Sequence, residues 1–292
     1  MTRAERLRDL IIRDVESSGF NAHGLHVLVG ADTAEHRWTA DGRADVHSVG
    51  KGVCALALGC AEDDGLISID APVAPLFPAV SPGAGTEAVT FRDLITMTSG
   101  VDFPWTPTLM TDWPDLAQEF LRRPSRGRSF QYSNASTYTA MRALEAVVGD
   151  VGDYVDRRLL NPLGIYNAPW ERCPRGSIVA GSGLHLRTEE LARIGRLIRD
   201  DGRWHGERIL AARWPRALHS DWVRAGDSPG YERYAFAGWD GYGHTWRLHG
   251  AYGQLVVFSG TTVVTVTAAD HDRADRLAED IAARVTQVKP AS

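Results

Sequence analysis

The chain contains the segment Ser48-Val-Gly-Lys51-Gly-Val-Cys-Ala-Leu-Ala-Leu58. Its centre is almost wholly apolar, which predicts a helix over residues 48–63 that is buried on most sides. Ser48 and Lys51 are three residues apart, so both lie on one face at the start of that helix. Helix N-terminal amides favour an anionic oxygen, and partial burial lowers the pKa of a lysine enough for it to act as a base. The pair therefore predicts a nucleophilic serine activated by a lysine.

The presence of a lysine at position 51 is itself informative. The chain has 32 basic residues, and only Lys51 and Lys289 among them are lysines. Lysine can release its proton near neutral pH, whereas arginine cannot. The alternative interpretation of the stretch is a serine that caps the helix and a lysine whose stem packs along it. A second motif further along the chain makes this alternative weaker.

That second motif is Tyr132-Ser-Asn134, which follows the turn-forming segment Pro124–Ser129. Taken alone, Ser133 or Asn134 would be interpreted as the cap of the helix that follows. Taken with Ser48 and Lys51, a phenol and an amide on a loop supply a proton carrier and a ligand for a substrate amide. We therefore expect Ser48 Oγ to lie within hydrogen-bond reach of Lys51 Nζ or the Tyr132 hydroxyl.

The third motif is the glycine-bearing segment Leu248-His-Gly-Ala-Tyr-Gly-Gln254. Glycine in a strand marks a place where the backbone approaches a ligand closely. The backbone amides of Ala251 and Ser48 would then form a two-amide oxyanion hole. Taken alone, the segment would be interpreted as a hairpin that contains glycines.

Together, S-x-x-K, Y-S-N and a glycine-bearing third strand resemble the motif set of the penicillin-binding-protein and β-lactamase superfamily, and its class C branch in particular. The resemblance implies that Ser48 is the nucleophile, Lys51 its base partner, Tyr132 a second proton carrier and Asn134 a ligand of the substrate amide. It leaves open whether Lys51 or Tyr132 takes the proton first. The similarity runs from about residue 25 to residue 268 and includes the stretches Gly65–Asp70, Phe91–Gly100, Asn161–Gly164, Gly181–Leu184 and Glu190–Gly195.

Two registers of the third motif are compatible with the resemblance. One places the motif on His249-Gly250-Ala251, and the other on Leu248-His249-Gly250 with Ala251 donating the oxyanion N–H. We favour the second, because Gly-Ala-Tyr-Gly-Gln resembles the Gly-x-Tyr-Gly of the esterase and nylon-oligomer-hydrolase branches. Neither register contains the lysine with which the family's β-lactamases and peptidases bind a substrate carboxylate. Arg247 and His249 are the candidates to replace it, although a single histidine beside a strand is more often a hydrogen-bonded structural residue. Together with Gly250 they are the predicted substrate ligands of this motif.

The rest of the chain predicts two structural parts with a cleft between them. The resemblance implies an α/β (α+β) fold of the β-lactamase/transpeptidase type, in which helices flank an antiparallel sheet and an all-helical subdomain is inserted. We assign residues 1–78 and 185–292 to the α/β core and residues 79–184 to the helical subdomain. The pattern predicts helices at the N-terminus and at 90–98, 114–121, 135–148, 151–160, 188–200 and 273–288, and strands at 24–30, 34–40, 234–238, 244–248, 254–259 and 262–268.

Composition excludes several classes of function. A formal charge of −5 and a pI near 6.1 provide no basic stripe for nucleic acid. The first residues predict a charged amphipathic helix rather than a secretion signal, and no stretch approaches the roughly 20 apolar residues of a membrane span. We therefore expect a cytoplasmic protein with no membrane partner. We expect the three cysteines to be reduced core residues and expect neither a metal nor a cofactor, since no ligand spacing is present.

The sequence predicts a serine acyl hydrolase that acts on a small-molecule ester or amide through an acyl-Ser48 intermediate. The alternative is a biosynthetic transacylase, since both reactions share one acyl-enzyme. A β-lactamase or DD-peptidase, or a non-catalytic sensor module, fits the sequence less well. Trp105, in the Pro-rich segment 102–115, is a candidate wall of an apolar acyl pocket, and a packing role is equally compatible with it. The oligomeric state is unknown from the sequence.

Overall fold

The computed structural model describes residues 1–103 and 115–287. Strands and helices alternate along both ends of the chain, and helices and turns occupy its middle. The strands are β1 (Ala22–Val29), β2 (Asp32–Arg37), β3 (Ala44–Asp45), β4 (His185–Leu186), β5 (Arg203–Trp204), β6 (Glu207–Arg208), β7 (Val223–Arg224), β8 (Arg233–Tyr234), β9 (Trp239–Asp240), β10 (Trp246–His249), β11 (Leu255–Ser259) and β12 (Thr262–Ala268). The helices are α1 (Arg3–Ser18), α2 (Gly50–Asp63), α3 (Phe91–Ile95), α4 (Leu116–Arg122), α5 (Asn134–Val148), α6 (Val151–Val155), α7 (Thr188–Arg199), α8 (Arg213–Ala217) and α9 (Ala274–Gln287).

Within the described ranges, one eight-stranded antiparallel sheet joins the two ends of the chain in the order β2-β1-β12-β11-β10-β9-β8-β7. Strand β1 pairs with the last strand, β12, with Leu25 opposite Val266 and Val27 opposite Val264. The expected antiparallel sheet, built from the N-terminal hairpin and the C-terminal strands, is confirmed. The assignment of residues 79–184 to a separate helical subdomain stays a prediction.

The sheet is covered by helices on both faces because its central strands are apolar on both sides. Val257 and Val264 belong to the hydrophobic cluster formed with α1 and α9, whereas their neighbours Val256 and Val263 belong to the cluster formed with α2 and α7. This alternation follows from the two-residue period of a strand. At about 25 cal/mol per Å² of buried apolar surface, such two-sided burial is the main stabilising contribution to the sheet.

Helix α2 lies in the core and carries the first motif. All of its residues from Gly50 to Ala61 are buried, as the apolar pattern predicts. Two glycines let it pack closely: a Cβ on Gly52 would come within 2.7 Å of the Leu248 side chain, and one on Gly59 within 2.4 Å of the Trp214 ring. The helix is therefore fixed against β10, which carries the third motif.

The sequence pattern predicts a strand over residues 234–238, but only Tyr234 of that segment lies in a strand, at the end of β8. Residues 235–238 form a tight turn between β8 and β9, closed by a hydrogen bond from the Ala235 amide to the Gly238 carbonyl. Ala237 has a left-handed φ of 76°, and a Cβ on Gly238 would lie 1.9 Å from the Leu218 carbonyl oxygen. Tertiary contact with residue 218 therefore overrides the strand preference of the apolar side chains.

The three cysteines lie in the interior of the protein. Cys54, Cys60 and Cys173 are all free and buried, and burial raises the pKa of Cys54 and Cys60 to about 12, so these two thiols stay protonated. This agrees with their expected role as reduced core residues.

Across residues 1–103 and 115–287, no helix has both the length and the apolar character needed to cross a bilayer.

Candidate active site

Ser48 lies in a single 3-10 turn, His47–Val49, that leads directly into α2. The residue before it, His47, adopts a left-handed φ of 48°, which costs about 1–2 kcal/mol in a residue with a side chain. Asp45 holds this turn, because its Oδ1 accepts hydrogen bonds from the amides of His47 at 2.7 Å and Gly183 at 2.9 Å. Paired strands β3 and β4 bring these segments together. The position of Ser48 is thus fixed from outside α2.

Lys51 is buried beside Ser48 and has three acceptors. Its Nζ donates to Ser48 Oγ at 2.8 Å, to Asn134 Oδ1 at 2.6 Å and to the Gly181 carbonyl at 2.8 Å. The expected hydrogen bond between serine and lysine is therefore present. Only 1% of Lys51 is exposed, and this burial lowers its pKa to about 7. A substantial fraction of the amine is neutral at neutral pH, so it is able to accept a proton.

Tyr132 and Asn134 bring the second motif to the same point. Asn134 begins α5, yet its side chain contacts Lys51, and the N-cap residue Ser133 makes no capping hydrogen bond with its side chain. The Tyr132 phenol is close enough to Ser48 for that residue to oppose the rise in the phenol's pKa, and the Tyr132 ring centroid lies 4.9 Å from Lys51 Nζ. Burial raises the pKa of the Tyr132 phenol far above neutrality. The phenol is therefore protonated and able to donate.

The third motif lies on β10 and the turn after it, with its side chains on two faces. Leu248 packs toward α2, whereas Arg247 and His249 share the opposite face. Arg247 Nε donates to His249 Nδ1 at 3.0 Å, and burial together with this guanidinium lowers the pKa of His249 to about 3. His249 is therefore neutral and carries its proton on Nε2.

Arg247 and Gly250 lie behind the site rather than in it. Arg247, a predicted substrate ligand, is 1% exposed, and its Nη1 donates to the carbonyl of Asp240. A guanidinium so enclosed cannot meet substrate directly, and its contact with the site runs through His249. Gly250 is needed for close packing, because a Cβ there would lie 2.8 Å from the Val46 carbonyl oxygen.

A cavity of about 800 Å³ opens in front of Ser48. Five of the predicted site residues line it, namely Ser48, Tyr132, Asn134, His249 and Ala251. Lys51 lies behind Ser48, and Trp105 falls outside the described residues. The other described residues that line the cavity are Asp45, His47, Glu171, Val179, Ser182, Ala225, Gly226, Ser228, Tyr231, Trp239, Tyr252, His271, Ala274 and Asp275. No group of His, Cys, Asp or Glu in the described part of the chain is arranged to hold a metal ion.

Sequence reasoning missed the residues that shape this site from distant elements. Gly181 is an example, because its left-handed φ of 97° turns its carbonyl toward Lys51, and a Cβ would approach Nζ to 3.3 Å. Asp45 and Trp239 are others. The segment Gly181–Leu184 stood out only through resemblance, and for Asp45 and Trp239 the sequence offers no local signal, since their roles depend on tertiary contacts.

The fold is shared with proteins of known structure at low sequence identity. A family VIII carboxylesterase is 14% identical, with a TM-score of 0.75 over 97% of this chain and 98% of the other. SurE in a structure with D-Leu is 19% identical, with a TM-score of 0.79 over 98% of this chain and 75% of the other. A D-stereospecific amidohydrolase from Streptomyces sp. is 17% identical, with a TM-score of 0.66 over 90% of this chain and 94% of the other. Among curated proteins, none matches the sequence significantly.

The family model described as Beta-lactamase matches residues 10–287, which is nearly the whole chain. The matched range includes all three motifs that meet at the cavity, and these structural neighbours share the fold. The expectation drawn from the motifs is thereby confirmed: the chain belongs to the Beta-lactamase family.

Proposed function

We propose that this protein is a serine acyl hydrolase that cleaves a small-molecule ester or amide through an acyl-Ser48 intermediate. The observation that carries the proposal is the 2.8 Å hydrogen bond between Ser48 Oγ and the buried Lys51 Nζ, at the wall of an 800 Å³ cavity. A nucleophile in hydrogen-bond contact with a base, itself oriented by further groups, is the arrangement that acyl transfer requires. Turnover of a panel of p-nitrophenyl esters and anilides tests it.

Lys51 is the better candidate for the first base. Its lowered pKa, about 7, leaves neutral amine available, whereas the raised pKa of Tyr132 keeps the phenol protonated. Neutral Lys51 would take the proton of Ser48 as Oγ attacks the substrate carbonyl carbon. Tyr132 would then donate its proton to the departing alcohol or amine and recover one from the Lys51 ammonium. Water would hydrolyse the acyl-enzyme in a second, equivalent step.

Two free backbone amides favour the oxyanion hole formed by Ser48 and Ala251. Both residues line the cavity, and neither amide donates a hydrogen bond to another part of the described chain. The amide of Tyr252, the next candidate along the chain, donates to Gln254 Oε1 at 3.2 Å. This supports the register Leu248-His249-Gly250 with Ala251 as donor. Preorganised amides of this kind contribute several kcal/mol to lowering the barrier.

The activity should depend on pH through Lys51. Because the base form is the neutral amine, kcat/KM for an uncharged p-nitrophenyl ester should rise with pH, with an apparent pKa near 7, and level off above it. Burial and nearby Lys51 hold the pKa of His47 below its usual 6.5, although Asp45 opposes them. The variant His47→Asn, which tolerates the left-handed backbone, should therefore keep the same profile. A profile that stays flat down to pH 5 would contradict the role of Lys51.

Substrates with a free carboxylate should be poor. The third motif has Leu248 and a neutral His249 where a cation would be needed, and Arg247 is enclosed behind them. A missing charge-assisted hydrogen bond is worth about 1.5–3 kcal/mol, or roughly 10- to 150-fold in binding. We expect kcat/KM for nitrocefin or a D-Ala-D-Ala peptide to fall below that for matched neutral esters by this order. The reverse ranking would indicate that Arg247 or His249 binds the substrate carboxylate. Alanine variants of the two residues would then show which one raises KM for the carboxylate substrate.

A further inference from the structure

In the part of the chain that the structure describes, the cavity is lined by acidic side chains but by neither lysine nor arginine. Among the described residues, three carboxylates, Asp45, Glu171 and Asp275, face the cavity. Elsewhere in the described chain most ion-paired carboxylates are matched by an arginine, but Asp45 is paired with His47 and Glu171 with His185. The cavity is therefore a negatively charged space in which a cation is favoured.

Asp275 has the most exposed side chain of the three carboxylates. It lies in the first turn of α9, where the helix N-terminus favours an anion, and its side chain is 62% exposed. Its contacts in the described structure are the Tyr231 hydroxyl, which donates to it, and His249, whose Nε2 lies 3.8 Å away. His249 is neutral, so the pair is not an ion pair.

Arg247 keeps His249 in that neutral state without reaching Asp275 itself. Its guanidinium donates to His249 Nδ1 and lies 4.7 Å from the centroid of the Tyr231 ring. Burial is the largest cause of the lowered pKa of His249, and His271 also disfavours a second positive charge there. Since the guanidinium is enclosed and the histidine cannot become cationic, the Asp275 carboxylate is left available to a ligand from solvent.

A continuous aromatic surface leads from the nucleophile to this carboxylate. The Tyr132 ring lies 5.4 Å from that of Trp239, Trp239 lies 4.9 Å from Tyr231, and Tyr231 contacts Asp275. Aromatic faces bind both apolar chains and cations. A ligand that reaches from Ser48 to Asp275 would thus meet an apolar surface first and a carboxylate at its end.

We propose that Asp275 binds an ammonium group of the substrate, carried by an apolar chain that lies along Tyr132, Trp239 and Tyr231. The proposal rests on the proposed function and specifies its substrate class as a cationic, amine-bearing ester or amide. Direct contact with Asp275 outweighs repulsion by Arg247, because charge interactions weaken with distance and the guanidinium lies behind His249 and Tyr231.

A matched ester series tests this. The p-nitrophenyl esters of an ω-amino acid, its N-acetyl derivative and the corresponding diacid share one chain and differ only in end-group charge. In wild-type protein we expect kcat/KM in the order ammonium, neutral, carboxylate, with about 10-fold between the first two. Asp275→Asn keeps a partner for Tyr231 and should bring the ammonium ester to the level of the neutral one. Glu279→Gln, which removes one charge from the same helix outside the cavity, should change none of the ratios.

The outcomes separate this proposal from the proposed function. If Asp275→Asn leaves the ammonium-to-neutral ratio unchanged, or lowers all three substrates equally, the ammonium site is wrong even though hydrolysis stands. If wild-type protein turns over none of the esters, the proposed function fails. Calorimetry of the ω-amino amide and its N-acetyl form on Ser48→Ala protein, with and without Asp275→Asn, then decides the ammonium site by binding alone. Equal affinities for the two amides would overturn it.

Discussion

Replacing Ser48 by alanine is expected to abolish covalent labelling by a fluorophosphonate probe and to lower ester turnover by at least about 10³-fold. The reason is that Ser48 Oγ is hydrogen-bonded to Lys51 Nζ and lies near the Tyr132 phenol, so without it neither group has a nucleophile to activate. Intact-mass analysis reads the labelling directly, because an acylated or phosphonylated protein gains the mass of one adduct. The fold should survive, since the change removes one oxygen from a side chain at the cavity wall.

Ser182 offers a matched control for this experiment. Ser182 lines the same cavity, but it is not among the three residues that accept a hydrogen bond from Lys51 Nζ. Ser182→Ala protein should therefore label at close to the wild-type rate. Labelling that persists in Ser48→Ala protein, or that disappears in Ser182→Ala protein, would move the nucleophile away from Ser48 and remove the basis of the proposed mechanism.

The parts of the fold that the sequence predicts well are those with a clear local period. The buried helix over residues 48–63 and the strands near 254–259 and 262–268 are apolar over their whole length, and all three are present. The segment 234–238 is also apolar, yet residues 235–238 form a turn because residue 218 lies against Gly238. Local pattern cannot report such a contact, since the contacting residues are distant in sequence.

In the site, too, local sequence pattern predicts some features, whereas others depend on residues that are distant in sequence. Ser48 and Lys51 are close because a helix places residues three apart on one face, so their contact is a consequence of sequence alone. The burial that lowers the pKa of Lys51 is different, because it depends on Asn134 and Gly181 arriving from other segments. Arg247 shows what the local pattern cannot predict. Alternation along β10 places Arg247 on the same face as His249, but its enclosure depends on Tyr231 and Tyr242, which pack against it from elsewhere in the chain.

Replacing Lys51 by arginine should lower turnover nearly as much as loss of the nucleophile, by about 10³-fold or about 4 kcal/mol in activation free energy, although the positive charge is kept. A guanidinium does not release its proton near neutral pH, so it cannot accept the proton of Ser48. Its planar donors also cannot replace the ammonium, which donates in three directions to Ser48, Asn134 and Gly181. Steady-state kinetics on the preferred neutral ester measure the loss.

The Lys51→Arg result is interpretable only if the larger side chain does not unfold α2, so thermal melting is measured in parallel. Arg213→Lys, the reverse exchange at an exposed arginine that pairs with Asp63, should leave both melting and turnover close to wild type. A folded Lys51→Arg protein that keeps more than about a tenth of the wild-type rate, a loss under roughly 1.4 kcal/mol, would show that charge alone suffices. Lys51 would then hold Asn134 and Gly181 in place, and the first base would have to be sought elsewhere in the site.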